Sequence, residues 1–443
     1  MTDHFRCRLI KDSLGGGVEE EDVLIGVNGD DTLNHDIFNF QNQRFHAHDK
    51  NVFNPAYKLT EHRIIIEDIR LKTIKEKFFN QSISMKNRLL TKESGRGLKI
   101  MKIGVLVGGG DAPGLNAAIK AAVSKAHEIG YDVVGIKNGW AGLLELDTQP
   151  LSVDDVEEIH SRGGVVLFTS RTNPFKIENG PKKVMANMKK LKVDALVVMG
   201  GEDTLGVAQK LSEMGVHVVG VPKTIDNDIG GTDYSIGFDT AVAIATDAID
   251  KLRTTAEAHH RIVIVEVMGR NTGWIALYAG LAGGANLTLI PEVPLGLNQV
   301  YGLLKFRKQN GKAYSIIVVA EGARVLKEKE QILVATEERD EFGHPRLGGI
   351  SRVLEKLIQE NTGLEARSVI LGHLQRGGSP TAFDRILAMR LATKAVELIK
   401  NKKFGEMASF KASDVVSVPL KEALKERKSV PPELYEMAKT LFR

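Results

Sequence analysis

A single cysteine, Cys7, stands among 443 residues. No intrachain disulfide can form, and a cysteine-based zinc site is excluded. Such usage fits a reducing cytoplasm. A dominant charge is also missing: 60 Lys and Arg stand against 56 Asp and Glu, a net of +4. That excess implies neither nucleic acid nor an anionic membrane as a partner. Any phosphate must be held by locally placed Arg and Lys. The opening MTDHFRCRLIKD lacks the apolar core of a signal peptide. Long apolar runs are nearly absent. The uncharged stretch 273–290, GWIALYAGLAGGANLTLI, has about the length of a membrane span. Its glycines, Asn286, Thr288 and the following Pro291 predict a buried helix running into a short strand instead.

The apolar fraction, 42% of the chain, is enough for large cores, and the length predicts two or three domains. Residues 1–100 differ from the rest: polar, histidine-bearing and weakly periodic. Ile64–Ile66 and the apolar positions of 67–78 predict at most one strand and one helix there. At Met101 the text changes to MKIGVLVGGGDAPG, which reads like the start of a protein. The first hundred residues are therefore read as an appendage: a disordered extension, a small extra domain, or the product of an upstream start codon.

After Met101 one unit recurs: an apolar strand, a Gly-rich or polar turn, then a helix pattern. IGVLVGGGDAPG (103–114), ALVVMGGEDTLG (195–206), IVIVEVMGRNTG (262–273), SIIVVAEGA (315–323) and SVILGHLQRGG (368–378) are its copies. Strands apolar on both faces belong in parallel sheets covered by helices. Ligands of such sheets bind beyond the carboxyl ends of the strands. The predicted fold is α/β and doubly wound.

The turns carry the chemistry. Gly108–Gly114 lets backbone N–H groups approach an anion before a helix N-terminus, or simply makes a tight turn. It is neither a Walker A nor a G-x-G-x-x-G string, because Pro113 occupies the last glycine position. In Gly200-Gly201-Glu202-Asp203-Thr204 an acid can hold magnesium, which takes one or two protein carboxylates, or can serve a helix N-terminus. In Pro222-Lys223-Thr224-Ile225-Asp226-Asn227-Asp228 two acids lie two apart and would face the same way in an extended segment. One could serve as base and one support the metal, or both could cap an ordinary Asp/Asn turn. Met268-Gly269-Arg270, Glu321 and His373 to Arg376 end further strands, with Arg261 and Arg367 preceding two of them. Arg matches phosphate bidentately. The runs Lys189-Lys190, Lys402-Lys403 and KEALKERK read as solvated faces.

In order, GGGDAPG, GGEDT, PKTIDND, MGR, AEG and GHLQRGGSP resemble the phosphofructokinase family, over about Lys102 to Arg443. Asp203 and Lys223, where users of ATP typically have glycine, are similar to the branch that uses pyrophosphate. The resemblance implies two doubly wound domains with the active site in the cleft. Residues 101–237 plus 375–425 would form the phosphoryl-donor domain, and 238–374 plus 426–443 the sugar-phosphate domain. It implies a reversible transfer from diphosphate to the 1-hydroxyl of fructose 6-phosphate, the alternative being an ATP-dependent 6-phosphofructokinase. Asp226 would be the general base and Glu202 the Mg2+ ligand. Gly110, with Arg171, would meet the donor phosphates. Thr224, Met268, Gly269 and Arg270 would contact the sugar phosphate and the transferring group. Glu321 would hold sugar hydroxyls, and His373 and Arg376 the 6-phosphate. Arg261 and Arg367 would reach that phosphate from a neighbouring subunit, so a homo-oligomer is implied. Trp140 falls where ATP users often set an aromatic under the adenine, and counts against the pyrophosphate branch unless it packs.

The donor choice has a physical rationale within that resemblance. Asp203 adds bulk and negative charge where a nucleotide's α-phosphate and ribose would lie. Like charges at ~4 Å with an effective dielectric of ~20 repel by about 4 kcal/mol, roughly a thousandfold in affinity. Lys223 acts in the opposite sense on the leaving phosphate.

Overall fold

The computed structural model describes residues 3–11, 19–27, 100–327, 330–332, 335–339 and 345–442. The chain separates into two compact units, 1–83 and 84–443. In the first, strand β1 (Asp3–Lys11) pairs antiparallel with β2 (Glu19–Val27), Asp3 opposite Val27. This hairpin was not legible in the polar text of the appendage. The strand and helix expected over 64–78 lie outside the described residues.

The second unit is built from the recurring strand–turn–helix. Strands β3 (Lys102–Val107), β4 (Asp132–Ile136), β5 (Thr148–Pro150), β6 (Ala195–Gly200) and β7 (Val218–Pro222) join one sheet. It is completed by β12 (Glu406–Lys411) and β13 (Asp414–Pro419), in the order β13-β12-β7-β6-β3-β4-β5. The inner pairs are parallel and the two outermost pairs antiparallel. Alternate residues go to opposite faces, as the period of two requires. Val197 and Met199 pack with helix α1 (Leu115–Glu128) and helix α6 (Ala382–Lys400), while Leu196 and Val198 pack on the other face against the helix α2 (Glu202–Glu213). Apolar runs were needed on both faces because both are covered.

A second sheet, four-stranded and wholly parallel, has the order β11-β8-β10-β9: β8 (Ile262–Val267), β9 (Leu287–Leu289), β10 (Ser315–Ala320) and β11 (Ala366–Ile370). Helices α3 (Phe238–His259), α4 (Trp274–Ala282) and α5 (Ile350–Thr362) cover it. The uncharged stretch 273–290 is α4 followed by β9, as its glycines and polar residues predicted. Among the described residues no helix is long and apolar enough to cross a membrane.

One buried carboxylate ties the layers together. Asp384 of α6 is inaccessible and accepts from Gly237 N at 2.9 Å, Thr240 N at 2.8 Å and Thr240 Oγ1 at 2.5 Å. It thereby caps the N-terminus of α3 from another element, satisfying donors that a helix start leaves open.

Candidate active site

The carboxyl ends of the strands converge on one cavity. Its walls include Gly109 and Gly110 after β3, Glu202, Asp203 and Thr204 at the start of α2, and Lys223, Thr224, Asp226 and Asp228 after β7. Further lining comes from Arg171, from Met268, Arg270 and Asn271 after β8, from Glu321 after β10, and from Arg376 and Arg427.

The glycine turn is shaped by what lies behind it. A Cβ on Gly108 would meet Thr204 Cγ2 at 2.6 Å, and one on Gly110 would meet Arg376 Nη1 at 2.8 Å. Gly109 takes a left-handed φ of 80°. Lys223 is 2% exposed, and its ammonium donates to Gly108 O at 2.9 Å and to Gly110 O. It holds the turn from beneath. Burial, reinforced by Arg376, pushes its pKa down to about 7.

The two acids after β7 do not sit on an extended strand, as their spacing led us to expect. Asn227 between them has a φ of 52°, and its side chain accepts from Ser235 N at 3.0 Å. An Asn tolerates this left-handed conformation, and its amide staples the turn. The turn still brings both acids to the cavity. Asp226 Oδ1 is shut off from solvent and has no hydrogen-bond partner among the described residues. Burial raises the Asp226 pKa, against the pull of Arg376, Arg270 and Arg427. Burial and then the Asp226 charge push Asp228 up to about 7. Glu321 is also raised to about 7, by burial and by Asp226. Three carboxyls around one space thus resist being ionised together.

Gly269 lies between the lining residues Met268 and Arg270, with φ 134°. A Cβ there would meet Thr272 O at 2.6 Å, so the turn that presents Arg270 needs glycine. Gln375, fully buried, accepts from Met268 N at 3.3 Å and donates to Gly372 O at 3.0 Å, which fixes the GHLQR turn against it. Sequence reasoning passed over Gln375, because an amide inside a motif carries no charge signal.

Other expected residues lie elsewhere. His373 is exposed and is not on the cavity wall; only Arg376 of that turn reaches it, donating to Asp111 O at 3.0 Å. Arg261 and Arg367 lie at the amino ends of β8 and β11, the opposite end from Met268, and both pair with Glu365, at 2.9 and 2.7 Å. Glu202 is in the first turn of α2 and pairs with Arg427 at 2.6 Å. Trp140 is 1% exposed in the core beneath the first sheet and does not line the cavity. The KEALKERK run is not a solvated face throughout. Arg427 lines the cavity, and Lys428 donates to Thr232 O at 3.0 Å and Asp233 O at 2.7 Å. Nothing in a run of alternating Lys and Glu distinguishes these two cations.

Glycine turns, arginines and buried acids at strand ends can bind phosphate, accept a proton and exclude bulk water. The family model described as Phosphofructokinase matches residues 102–399. The chain is 55% identical over 344 residues to the pyrophosphate–fructose 6-phosphate 1-phosphotransferase of Amycolatopsis methanolica, covering 77% of this chain and 100% of that protein. It is 46% identical over 344 residues to ATP-dependent 6-phosphofructokinase 3 of Streptomyces coelicolor, with the same coverage. Among solved structures, Pichia pastoris phosphofructokinase in the T-state aligns with a TM-score of 0.65 at 28% identity, over 77% of this chain and 36% of that one. On its motifs, its fold and these matches, the chain belongs to the phosphofructokinase family.

Proposed function

We propose that the protein transfers a phosphoryl group reversibly between diphosphate and the 1-hydroxyl of fructose 6-phosphate. The products are phosphate and fructose 1,6-bisphosphate. The observation that carries this reading is the shielded Asp226 Oδ1, without a hydrogen-bond partner among the described residues, in the same cavity as Asp203 and Lys223. The higher identity to a pyrophosphate-named relative, 55% against 46%, supports the same donor.

Asp226 accepts the proton of the sugar 1-hydroxyl as that oxygen attacks phosphorus. A raised pKa suits this role, because a base must be ionised at rest yet hold the proton it takes. The bond to the departing phosphate breaks in line, and that phosphate leaves with the electron pair. Lys223 and Arg171 supply positive charge on the donor side, and the Gly109–Gly110 turn lets backbone approach the phosphates. Asp203 repels the further phosphate of a nucleotide. Thr224, Met268, Gly269, Arg270 and Arg376 hold the sugar phosphate, and Glu321 its hydroxyls. His373 joins them only by turning toward the cleft.

Magnesium fits this site by donor chemistry. Glu202 offers a hard oxygen at a half-exposed position, its side chain 54% accessible, beside Asp228. A metal satisfied by one carboxylate, phosphate oxygens and water needs no more. Bound there, it would neutralise charge on the diphosphate. Residues 101–237 with 375–425 form the donor domain and 238–374 with 426–443 the sugar-phosphate domain, with Arg376 and Arg427 each reaching the part of the cavity that the other domain serves. Arg261 and Arg367, distant from their own cavity, complete that of a neighbouring copy, so the working unit is a homo-oligomer. A single cysteine agrees with a cytoplasmic enzyme.

One coupled assay with diphosphate and with ATP on the same purified sample tests the reading. Turnover with diphosphate and none with ATP is expected. The converse result makes this an ATP-dependent member instead.

A further inference from the structure

Arg427 enters the cavity from a part of the chain that carries no motif. Its backbone neighbours are fixed on several sides. Lys428 N donates to Asp228 O at 2.9 Å, Lys428 O accepts from Trp274 Nε1 at 2.8 Å, and Val430 N donates to Glu292 Oε1 at 3.0 Å. The segment is thus stitched to the turn after β7 and to the helix after β8, and Arg427 is carried over the cavity between them.

The guanidinium stands among acids. It lies 2.6 Å from Glu202 and 3.5 Å from Asp228, and Asp203 adds a weaker attraction. An anion bearing several charges cannot approach three carboxylates without a counter-charge on that side. Arg427, on the cavity wall, pairs with both Glu202 and Asp228. Asp228, at 13%, lies deeper, but the Glu202 pair is not locked: the arginine side chain is 36% exposed and that of Glu202 54%. Ion pairs so exposed are weakly held. A phosphate group offers the same fork two oxygens in a geometry that suits it at least as well.

We infer that Arg427 is a donor-binding residue, which exchanges its carboxylate partners for a phosphate oxygen when diphosphate and magnesium enter. The inference rests on the proposed function and deepens it: the C-terminal segment supplies part of the donor site. In the ligand-free protein Arg427 keeps Glu202 and Asp228 from repelling each other. Glu202, if it held a metal, would no longer engage the guanidinium, which would then turn toward the donor.

The test uses the full chain with Arg427→Met, which keeps an apolar stem, and Arg427→Lys. Initial rates are measured with each substrate varied, and inorganic diphosphate is titrated calorimetrically in the presence of magnesium. Arg427→Met should raise both KM and Kd for diphosphate roughly tenfold to a hundredfold, the loss expected of a charge-assisted hydrogen bond. KM for fructose 6-phosphate should move far less. Arg427→Lys, keeping charge without the fork, should fall between. Unchanged diphosphate Kd in folded Arg427→Met overturns the inference. So does an equal loss for both substrates, the result of a merely structural role. If Arg427→Met does not fold, Arg427→Lys decides: a diphosphate Kd equal to that of the unaltered chain overturns the inference. Turnover with ATP alone would sink the functional reading separately. The titration still decides Arg427 in that case, since weakened diphosphate binding supports it, and an unaltered chain that binds no diphosphate overturns both.

Discussion

Asp226 is half-buried on the cavity wall, yet one of its oxygens, Oδ1, is sealed from solvent and has no hydrogen-bond partner among the described residues. Arrangements of this kind cost stability and are kept for what they do. Asp226→Asn should lower kcat roughly 10²–10⁴-fold, the contribution of a general base, with little change in KM. The same substitution should raise the melting temperature of the ligand-free protein at pH 8, because it removes a buried charge. Near-normal turnover would show that the base lies elsewhere. Asp203→Gly should weaken use of diphosphate and admit ATP, which a two-donor assay reads directly. The titrations also have a sign. Glu321 and Asp228 are pushed up to about 7 from ordinary values of 4.5 and 3.8. The folded state then holds protons that the unfolded chain has released, so stability is fullest below the unfolded values and falls as pH climbs toward 7. Lys223, pushed down to about 7 from 10.5, works the other way above that point: stability recovers as pH rises. Scanning calorimetry of the ligand-free protein should therefore find the melting temperature declining between pH 5 and 7. Glu321→Gln should flatten that decline; an unaltered slope would refute the assignment. Asp226 and Asp228 were legible in the text as paired acids after an apolar run. The left-handed Asn227 that aims them was not, because one residue's backbone angle leaves no periodic trace.

Helix α3 begins at a glycine of φ 99°, and its cap comes from Asp384, 144 residues away from Thr240. Asp384→Ala should destabilise the fold by roughly 2 kcal/mol or more, since it removes a cap and orphans buried donors. Urea unfolding measures this, and a loss within error would mean that the cap is dispensable. At the turn after β8, Gly269→Ala should raise KM for fructose 6-phosphate by displacing Arg270, while diphosphate binding by calorimetry stays near normal. The elements themselves were the most readable layer. Each of the five apolar runs, 103–107 to 368–370, lies in a parallel strand; four are buried almost throughout, as a strand covered on both faces must be, whereas the last belongs to the partly exposed edge strand β11. What failed to show was recognition between elements distant in sequence. The contact from Arg427 to Glu202 spans 225 residues, and its local text is that of any solvated charged run.

The whole molecule raises the question of why two arginines expected at a phosphate stand at the wrong end of their strands. If Arg261 serves a neighbouring copy, two defective variants can repair each other. Asp226→Asn and Arg261→Ala, each nearly inactive alone, should regain activity when co-refolded, because one mixed site then has an intact base and an intact arginine. Failure to regain any activity, with mixed oligomers demonstrated, would overturn the shared site. A different consequence follows from the first sheet. Its strand β3 starts at Lys102, yet the neighbours of β7 on one side, β12 and β13, come only at Glu406–Pro419. The four strands of the other sheet lie wholly between those limits. A chain emerging from the ribosome can therefore finish the later-starting sheet first, while the earlier one waits with an open edge at β7 for its last members. Nascent chains stopped short of Glu406 should accordingly be the aggregation-prone ones, and release of those final fourteen residues the step that closes the edge.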